Sequence, residues 1–291
     1  MLNILYITCL KDIVQLEFSL KTLKLCTDLN DIHLTMIVDD SEIELFQSKF
    51  KLLYNIEFIK HSELFSLIFN LKNYNFLKYS GWHKQLLLKL IYSKLCKFNY
   101  YFIVDSDIIF YKKFDEKTLF YNNKYKHSYE MYPASDMINN WIKNAEDVLN
   151  FKLPVNARFL TTAPLVFDTK IASALIDSID VNWYFEGGVE WSEYTLYSVF
   201  AHKLNMYDKL YTDECIQINT WDINIWHAKE VDQNINDKIC NKIKEKFNQS
   251  DNITGFAFVI QSYILREADP IILQETYKNI YNTIYDNLFK S

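Results

Sequence analysis

An α/β fold with a mixed, mostly parallel sheet flanked by helices is what this sequence predicts, and three observations predict it. Short apolar runs of strand length alternate with helix-period segments through the first half. The chain has 291 residues, 49% apolar and 16% aromatic, enough for one sizeable core. No Pro/Gly/Ser-rich linker and no internal repeat divides it. We expect a single compact domain over 1–291, regular through 1–110 and less regular through 111–291.

The elements follow in order. Leu2–Thr8 is an apolar run that ends in polar residues. Asp12–Leu25 sets Ile13, Leu16, Leu20 and Leu23 at helical spacing. Ile32–Val38 reads as a second strand, closed by Asp39 and Asp40. Ser41, with Glu44 three residues on, predicts a capping box for a helix through Phe50. Tyr54–Ile59 is a third strand, 82–97 a helix, and Tyr100–Val104 the next strand. This β-α-β-α order predicts parallel pairing, with ligands beyond the strand carboxyl ends. Farther on, Arg158–Phe167 reads as a strand, Val189–Leu204 as a helix, Phe256–Ile260 as a buried strand and Pro270–Phe289 as a closing helix.

Composition removes several classes. Only four glycines occur, where an average chain of this length carries about twenty. There is no G-x-G-x-x-G dinucleotide loop and no Walker phosphate loop, so a bound phosphate needs a metal, Lys/Arg or a helix N-terminus. A net charge of −6 argues against nucleic-acid binding. No apolar run has the length of a membrane span. Five cysteines at wide spacings, without a C-x-x-C pair, fit reduced thiols in a cytoplasmic protein. The N-terminus lacks a basic region and a cleavage site, and reads as a strand.

The chemistry-bearing residues fall in three places. Tyr100–Val104 ends in Asp105-Ser-Asp107, and alternation sends residues i and i+2 to the same side. Two hard carboxylates there suit Mg²⁺ or Mn²⁺ bridging to phosphates; the bland alternative is a pair of turn-capping aspartates. In the preceding helix Lys84, Leu87, Ile91 and Leu95 share a row, so Lys84 continues the sheet-facing side. There it must snorkel or meet an anion, with Gln85 beside it as a neutral donor. In the third segment Gly187 and Gly188 precede a helix on which Glu193 interrupts the row Val189, Leu196, Phe200, while Glu190 falls on the next row. A carboxylate so placed is either ion-paired or poised as a base. Trp191 and nearby tyrosines offer an aromatic platform for sugar rings, or simply core. The six histidines form no H-E-x-x-H set, which disfavours a zinc protease. His227, in a polar-aromatic loop, is a candidate ligand from across the cleft.

Taken together these residues resemble the GT-A-type glycosyltransferases, nucleotide-sugar-dependent enzymes with a metal-binding D-x-D. The nearest resemblance is to a bacterial and viral group in which W-x-x-Q-(x)-L-x-K-L precedes the D-x-D strand and S-E-[YF]-x-L-Y follows it. Here these stand as Gly81-Trp-His-Lys-Gln-Leu-Leu-Leu-Lys-Leu90, Val104-Asp-Ser-Asp107 and Trp191-Ser-Glu-Tyr-Thr-Leu-Tyr197. Phe258-Val-Ile-Gln-Ser-Tyr263 is similar to that group's C-terminal strand. The resemblance implies a GT-A-like, Rossmann-type fold with 1–110 as the nucleotide-binding half and 111–291 as the acceptor half. It implies Asp107 on the cation, Asp105 on the donor ribose or the cation, and Thr8 and Asp39 at the base and ribose. It further implies Lys84 and Gln85 on the diphosphate or donor sugar, Glu193 or Glu190 as a catalytic or acceptor-orienting carboxylate, and His227 on the metal.

The implied reaction is metal-dependent transfer from a nucleoside-diphosphate sugar, UDP favoured, to a hydroxyl of a glycan or glycoconjugate. In an inverting enzyme Glu190 or Glu193 takes the hydroxyl proton; in a retaining one the leaving phosphate does so, and Glu193 positions the acceptor. The expected setting is the cytoplasm, a host's if the source is viral. Two other readings stand beside it. One is a haloacid-dehalogenase-like phosphatase using the D-x-D, although such enzymes carry the motif on the first strand. The other is a non-catalytic carbohydrate-binding protein of the same fold.

Overall fold

The computed structural model describes residues 1–52, 54–68, 80–185, 189–212, 218–225, 235–247, 249, 255–261 and 270–290. The described strands are β1 Leu2–Ile7, β2 Ile32–Val38, β3 Ile56–Lys60, β4 Tyr100–Val104, β5 Ile108–Phe110, β6 Phe120–Tyr121, β7 Lys124–Tyr125, β8 Tyr129–Met131, β9 Arg158–Leu160, β10 Leu165–Asp168 and β11 Ala257–Val259. The described helices are α1 Ile13–Cys26, α2 Ile43–Phe50, α3 His61–Phe65, α4 Gly81–Ile91, α5 Asp136–Leu149, α6 Thr169–Ser178, α7 Glu193–Lys203, α8 Tyr207–Leu210, α9 Ile235–Phe247 and α10 Pro270–Phe289.

The sequence expectation of a mixed, mostly parallel sheet holds. Five strands lie in the order β10-β4-β1-β2-β3, with β1 parallel to both β2 and β4, β2 parallel to β3, and β10 antiparallel to β4. All six residues of β1 are buried, as expected of a strand covered on both faces. Helix α1 buries Leu16, Leu20 and Leu23, and Phe18 on it meets Tyr277 of α10 with ring centroids 4.2 Å apart. A small second sheet pairs β5 with β11 antiparallel, bringing the C-terminal part beside the end of β4.

Scarce glycine is replaced by asparagine where the backbone turns left-handed. Among the described residues, the five with positive φ other than glycine are Asn122, Asn123, Asn150, Asn156 and Asn205. Asn122-Asn123 makes the two-residue turn between β6 and β7, and Asn150 ends α5 at φ 47°. Gly255 is needed for space. A Cβ there would lie 2.6 Å from the carbonyl carbon of Ile218 and fall onto its oxygen. Gly255→Ala is therefore expected to lower stability by about 1–3 kcal/mol, read as a drop in midpoint by thermal unfolding.

Several elements differ from the sequence expectation. The stretch 158–167 is two strands: Pro164 has no N–H to donate, so β9 pairs with β8 and β10 turns to pair with β4. The helix expected over 82–97 ends at Ile91 and tightens into a 3₁₀ turn, leaving Leu95 exposed. Helix α7 starts at Glu193 because Ser192 caps it, its hydroxyl accepting from the Tyr194 N–H at 3.3 Å. Glu190 therefore precedes the helix. Ser41 caps nothing; its N–H and hydroxyl donate to Asp39 Oδ1 at 3.0 and 2.7 Å, and Glu42 is the N-cap of α2. Cys26 is buried, and Cys9, Cys96 and Cys240 are half-buried free thiols.

Candidate active site at the carboxyl end of β4

The Asp105-Ser-Asp107 turn is fixed by its own backbone and by both neighbouring segments. Ile108 N–H donates to the Asp105 carbonyl at 3.1 Å, and Ile260 N–H donates to the Asp107 carbonyl at 3.2 Å. Ser106 is buried, and its hydroxyl donates to Thr8 Oγ1 at 2.9 Å. Asp105, Ser106 and Asp107 all line a cavity of about 270 Å³, with the Ser106 hydroxyl turned to Thr8.

A buried lysine organises that cavity. Lys89 Nζ lies 3.0 Å from Asp105 Oδ1 and 2.8 Å from Glu193 Oε1, and it donates to the Tyr194 hydroxyl at 2.7 Å. Gln85, one turn earlier on α4, donates to the same Asp105 oxygen at 3.3 Å. Lys89 is 3% exposed and Glu193 0%. Burial works against the ammonium, but the two carboxylates outweigh it and hold the Lys89 pKa well above the ordinary lysine value. Burial raises the Glu193 carboxyl above its usual range, with Lys89 opposing. Glu193 also sits in the first turn of α7, where the helix dipole favours negative charge.

The other expected site residues divide. Gln85, Asp105, Asp107 and Glu193 share the cavity. Thr8 is buried beneath the turn and holds Ser106. Asp39 and Lys84 are not among the cavity-lining residues. Asp39 Oδ1 serves Ser41, and its Oδ2 lies 3.7 Å from His61. Burial works against the Asp39 carboxylate, but Ser41 and the charges of His61 and Lys84 keep its pKa below the usual range. Lys84 is half-buried; the lysine that meets anions inside the fold is Lys89, five residues on. Glu190 is exposed and engaged on α5, its carboxylate accepting from Asn140 at 3.3 Å and its carbonyl from Asn144 at 2.7 Å. Trp191 is core, 1% exposed, its indole N–H donating to the Tyr184 carbonyl at 3.3 Å. His227, Gly187 and Gly188 lie outside the described residues.

Four carboxylates line the cavity among the described residues (Asp12, Asp105, Asp107 and Glu193) against one ammonium, Lys89. Such a cavity attracts cations and repels a bare polyphosphate. No group of three or more His, Cys, Asp or Glu among the described residues is arranged to hold a metal ion. The donor set fits a cation that keeps waters and shares its ligands with a substrate, and does not fit a closed protein cage.

From residue 4 to 283 the chain matches the profile of a family whose description reads "Family of unknown function (DUF6492)". It belongs to the DUF6492 family. No curated protein matches this DUF6492 chain. Solved structures similar to it include mouse xyloside xylosyltransferase 1 in its apo form, at 11% identity and a TM-score of 0.48, covering 89% of this chain and 97% of that one. The mannosyltransferase Ktr4p of S. cerevisiae follows at 14% and 0.43, covering 68% and 64%. The apo-form glycosyltransferase GlyE of Streptococcus pneumoniae TIGR4 stands at 13% and 0.44, covering 98% and 63%, so the DUF6492 chain spans under two thirds of both. All three scores are below 0.5, and nothing about activity follows from them. No helix among the described residues of the DUF6492 chain is long and apolar enough to cross a membrane.

Proposed function

We propose that this chain is a glycosyltransferase that moves a sugar from a nucleoside-diphosphate sugar to a hydroxyl of a glycan or glycoconjugate. The observation that carries the reading is the pair Asp105 and Asp107 at the carboxyl end of an interior strand, opening into a cavity whose one ammonium among the described residues is already committed to carboxylates. A diphosphate enters such a place only with compensating positive charge. Asp105 and Asp107 would hold that charge as Mn²⁺ or Mg²⁺, which when bound supplies neutralisation of the leaving diphosphate. The motifs that resemble GT-A enzymes fall on the walls of this same cavity: Trp82, Gln85 and Lys89 from the first, Asp105 and Asp107 from the second, Glu193 and Tyr194 from the third.

The chain's own residues then have distinct tasks. Lys89 fixes the rotamer of Asp105 and ties it to Glu193, so Asp105 is preorganised before substrate arrives. Glu193 is a positioning residue in this reading, since its one near cation occupies the carboxylate and no surface of it is exposed. Glu190 faces α5 and does not line the cavity. With neither glutamate free as a base, transfer of the acceptor proton to the departing phosphate is the better supported route. The acceptor oxygen then bonds to the anomeric carbon as the bond to the diphosphate breaks.

Thermal shift with UDP, GDP and CMP, each with Mn²⁺ and with EDTA, tests the reading. UDP is the first nucleotide to try, and the sugar and acceptor follow from donor screening. A stabilisation of about 2.7 kcal/mol is expected at a hundredfold excess over Kd, only when nucleoside diphosphate and Mn²⁺ are both present. Asp107→Ala should abolish it with the circular dichroism unchanged. Equal stabilisation in EDTA overturns the cation-bridged donor site.

A further inference from the structure

We propose that Trp82 and Trp141 form an acceptor-sugar subsite at the lip of this cavity, taking the C–H face of a pyranose ring. The inference rests on the transfer reading and names the part of the site that meets the second substrate. Trp82 stands in the first turn of α4 and Trp141 in the middle of α5. Their ring centroids are 6.2 Å apart with planes at 39°, and both rings line the cavity that holds the acidic pair. Trp82 is 45% exposed, in a chain that buries Trp191 to 1%. An indole left in water beside a cavity is an uncompensated apolar surface, and it marks a place where a ligand completes the packing.

The walls around the indoles say which ligand. Gln85, Thr161, Thr162 and Gln261 line the same cavity. Thr161 Oγ1 is buried without a hydrogen-bond partner among the described residues. An occupant that meets two indole faces on one side and amides, hydroxyls and carboxylates on the other has an apolar face and a hydroxyl rim. A pyranose has both.

Position separates this subsite from a nucleoside pocket. Trp141 is on α5, which packs on α7, on the side of β4 away from β2. Asp39 follows β2 and His61 follows β3, two and three strands from β4 on the other side. A donor whose diphosphate sits at Asp105 and Asp107 and whose nucleoside lies toward β2 and β3 leaves the indole side of the cavity to the acceptor.

The test uses the full chain with UDP and Mn²⁺ and three probes: methyl β-galactopyranoside, methyl α-glucopyranoside and methyl α-mannopyranoside. Saturation-transfer NMR is expected to mark the protons of one ring face on at least one of them. The signal should fall at least fivefold in W82A and in W141A and persist in W82F and W141F, while the UDP–Mn²⁺ thermal shift stays in all four variants. No saturated glycoside on the wild-type chain overturns the inference, as does a signal unmoved in W82A and W141A. Loss of the UDP–Mn²⁺ shift in both alanine variants, with circular dichroism unchanged, also overturns it, because the indoles then stack on a base. If the wild-type chain gives no UDP–Mn²⁺ shift but keeps a tryptophan-dependent glycoside signal, the transfer reading fails and the sugar subsite stands.

Discussion

Replacing Lys89 by methionine is expected to be the most damaging single change in the chain. The substitution keeps the length of the side chain and removes its charge, so Glu193, with no exposed surface, is left as a buried carboxylate without a counter-ion. Breaking a buried pair in this way costs about 3–5 kcal/mol. For a protein of this size the midpoint of thermal unfolding then falls on the order of 10 °C. Asp105 suffers less, because its side chain is 27% exposed and water reaches it. A second substitution separates pairing from mere loss of a side chain. In K89M/E193L both buried charges are gone, and replacement of an ion pair by apolar groups of similar volume is often neutral. The double variant is expected to recover most of the lost stability while nucleotide-dependent turnover stays absent. Calorimetry on the four proteins gives the coupling energy directly. Additive losses in that cycle, or a K89M protein as stable as the wild type, would mean that Lys89 does not hold the site together.

Mild acid is the second large effect. His127 is 1% exposed and surrounded by Tyr129, Tyr207 and Tyr211, with the Tyr125 backbone as the one polar group among the described residues that favours its charged form. Burial, helped by Arg158, pushes its pKa down to about 3. His61 is pushed down to about 4, chiefly by burial, with Asp39 and Asp40 opposing. An unfolded histidine titrates near 6.5, so between that pH and the folded values the unfolded chain binds more protons than the native one. Stability is therefore whole above about pH 6.5 and falls as the pH drops, by about 1.4 kcal/mol per pH unit for each histidine. At pH 4.5 each has removed roughly 2–3 kcal/mol. His127→Phe should flatten the lower part of a plot of Tm against pH and leave the neutral part in place. A wild-type curve level from pH 7 to 4.5 would show that both rings are hydrated in solution.

Strands β1, β2 and β4 are legible because each is a mostly apolar run, broken only by Asn3 in β1 and by His33 and Thr35 in β2, with polar residues at its end, which is close to how a doubly covered parallel strand reads. The antiparallel strand β10 is not. It is four residues long, and only the short link Thr161-Thr162-Ala163-Pro164 separates it from β9. At the site, Asp105 and Asp107 could be read because a strand end aims alternate side chains the same way. Lys89 was hidden by its neighbours: Leu86, Leu87, Leu88, Leu90 and Ile91 surround it, and the row through Lys84 looked like the buried one. The informative pattern was Trp82, Gln85 and Lys89, three and four residues apart, which puts the polar groups of α4 on the cavity side. Asp12, Trp141 and Thr161 reach the same cavity from separate segments, and nothing in a single chain's spacing links them. Glu193 stands out in the sequence by interrupting an apolar stripe, but its partner is a tertiary fact.

The place of β10 has a consequence for how the protein can be cut. Because Leu165–Asp168 pairs along β4, the strand carrying the acidic turn has a neighbour on each side only after more than half the polypeptide has been synthesised. A fragment stopping at residue 110 would present that strand's amides and carbonyls bare along its outer side, an invitation to intermolecular sheet growth. The apparent boundary between the regular and irregular parts is thus no seam at which the molecule can be divided, and expression trials gain nothing from splitting it there.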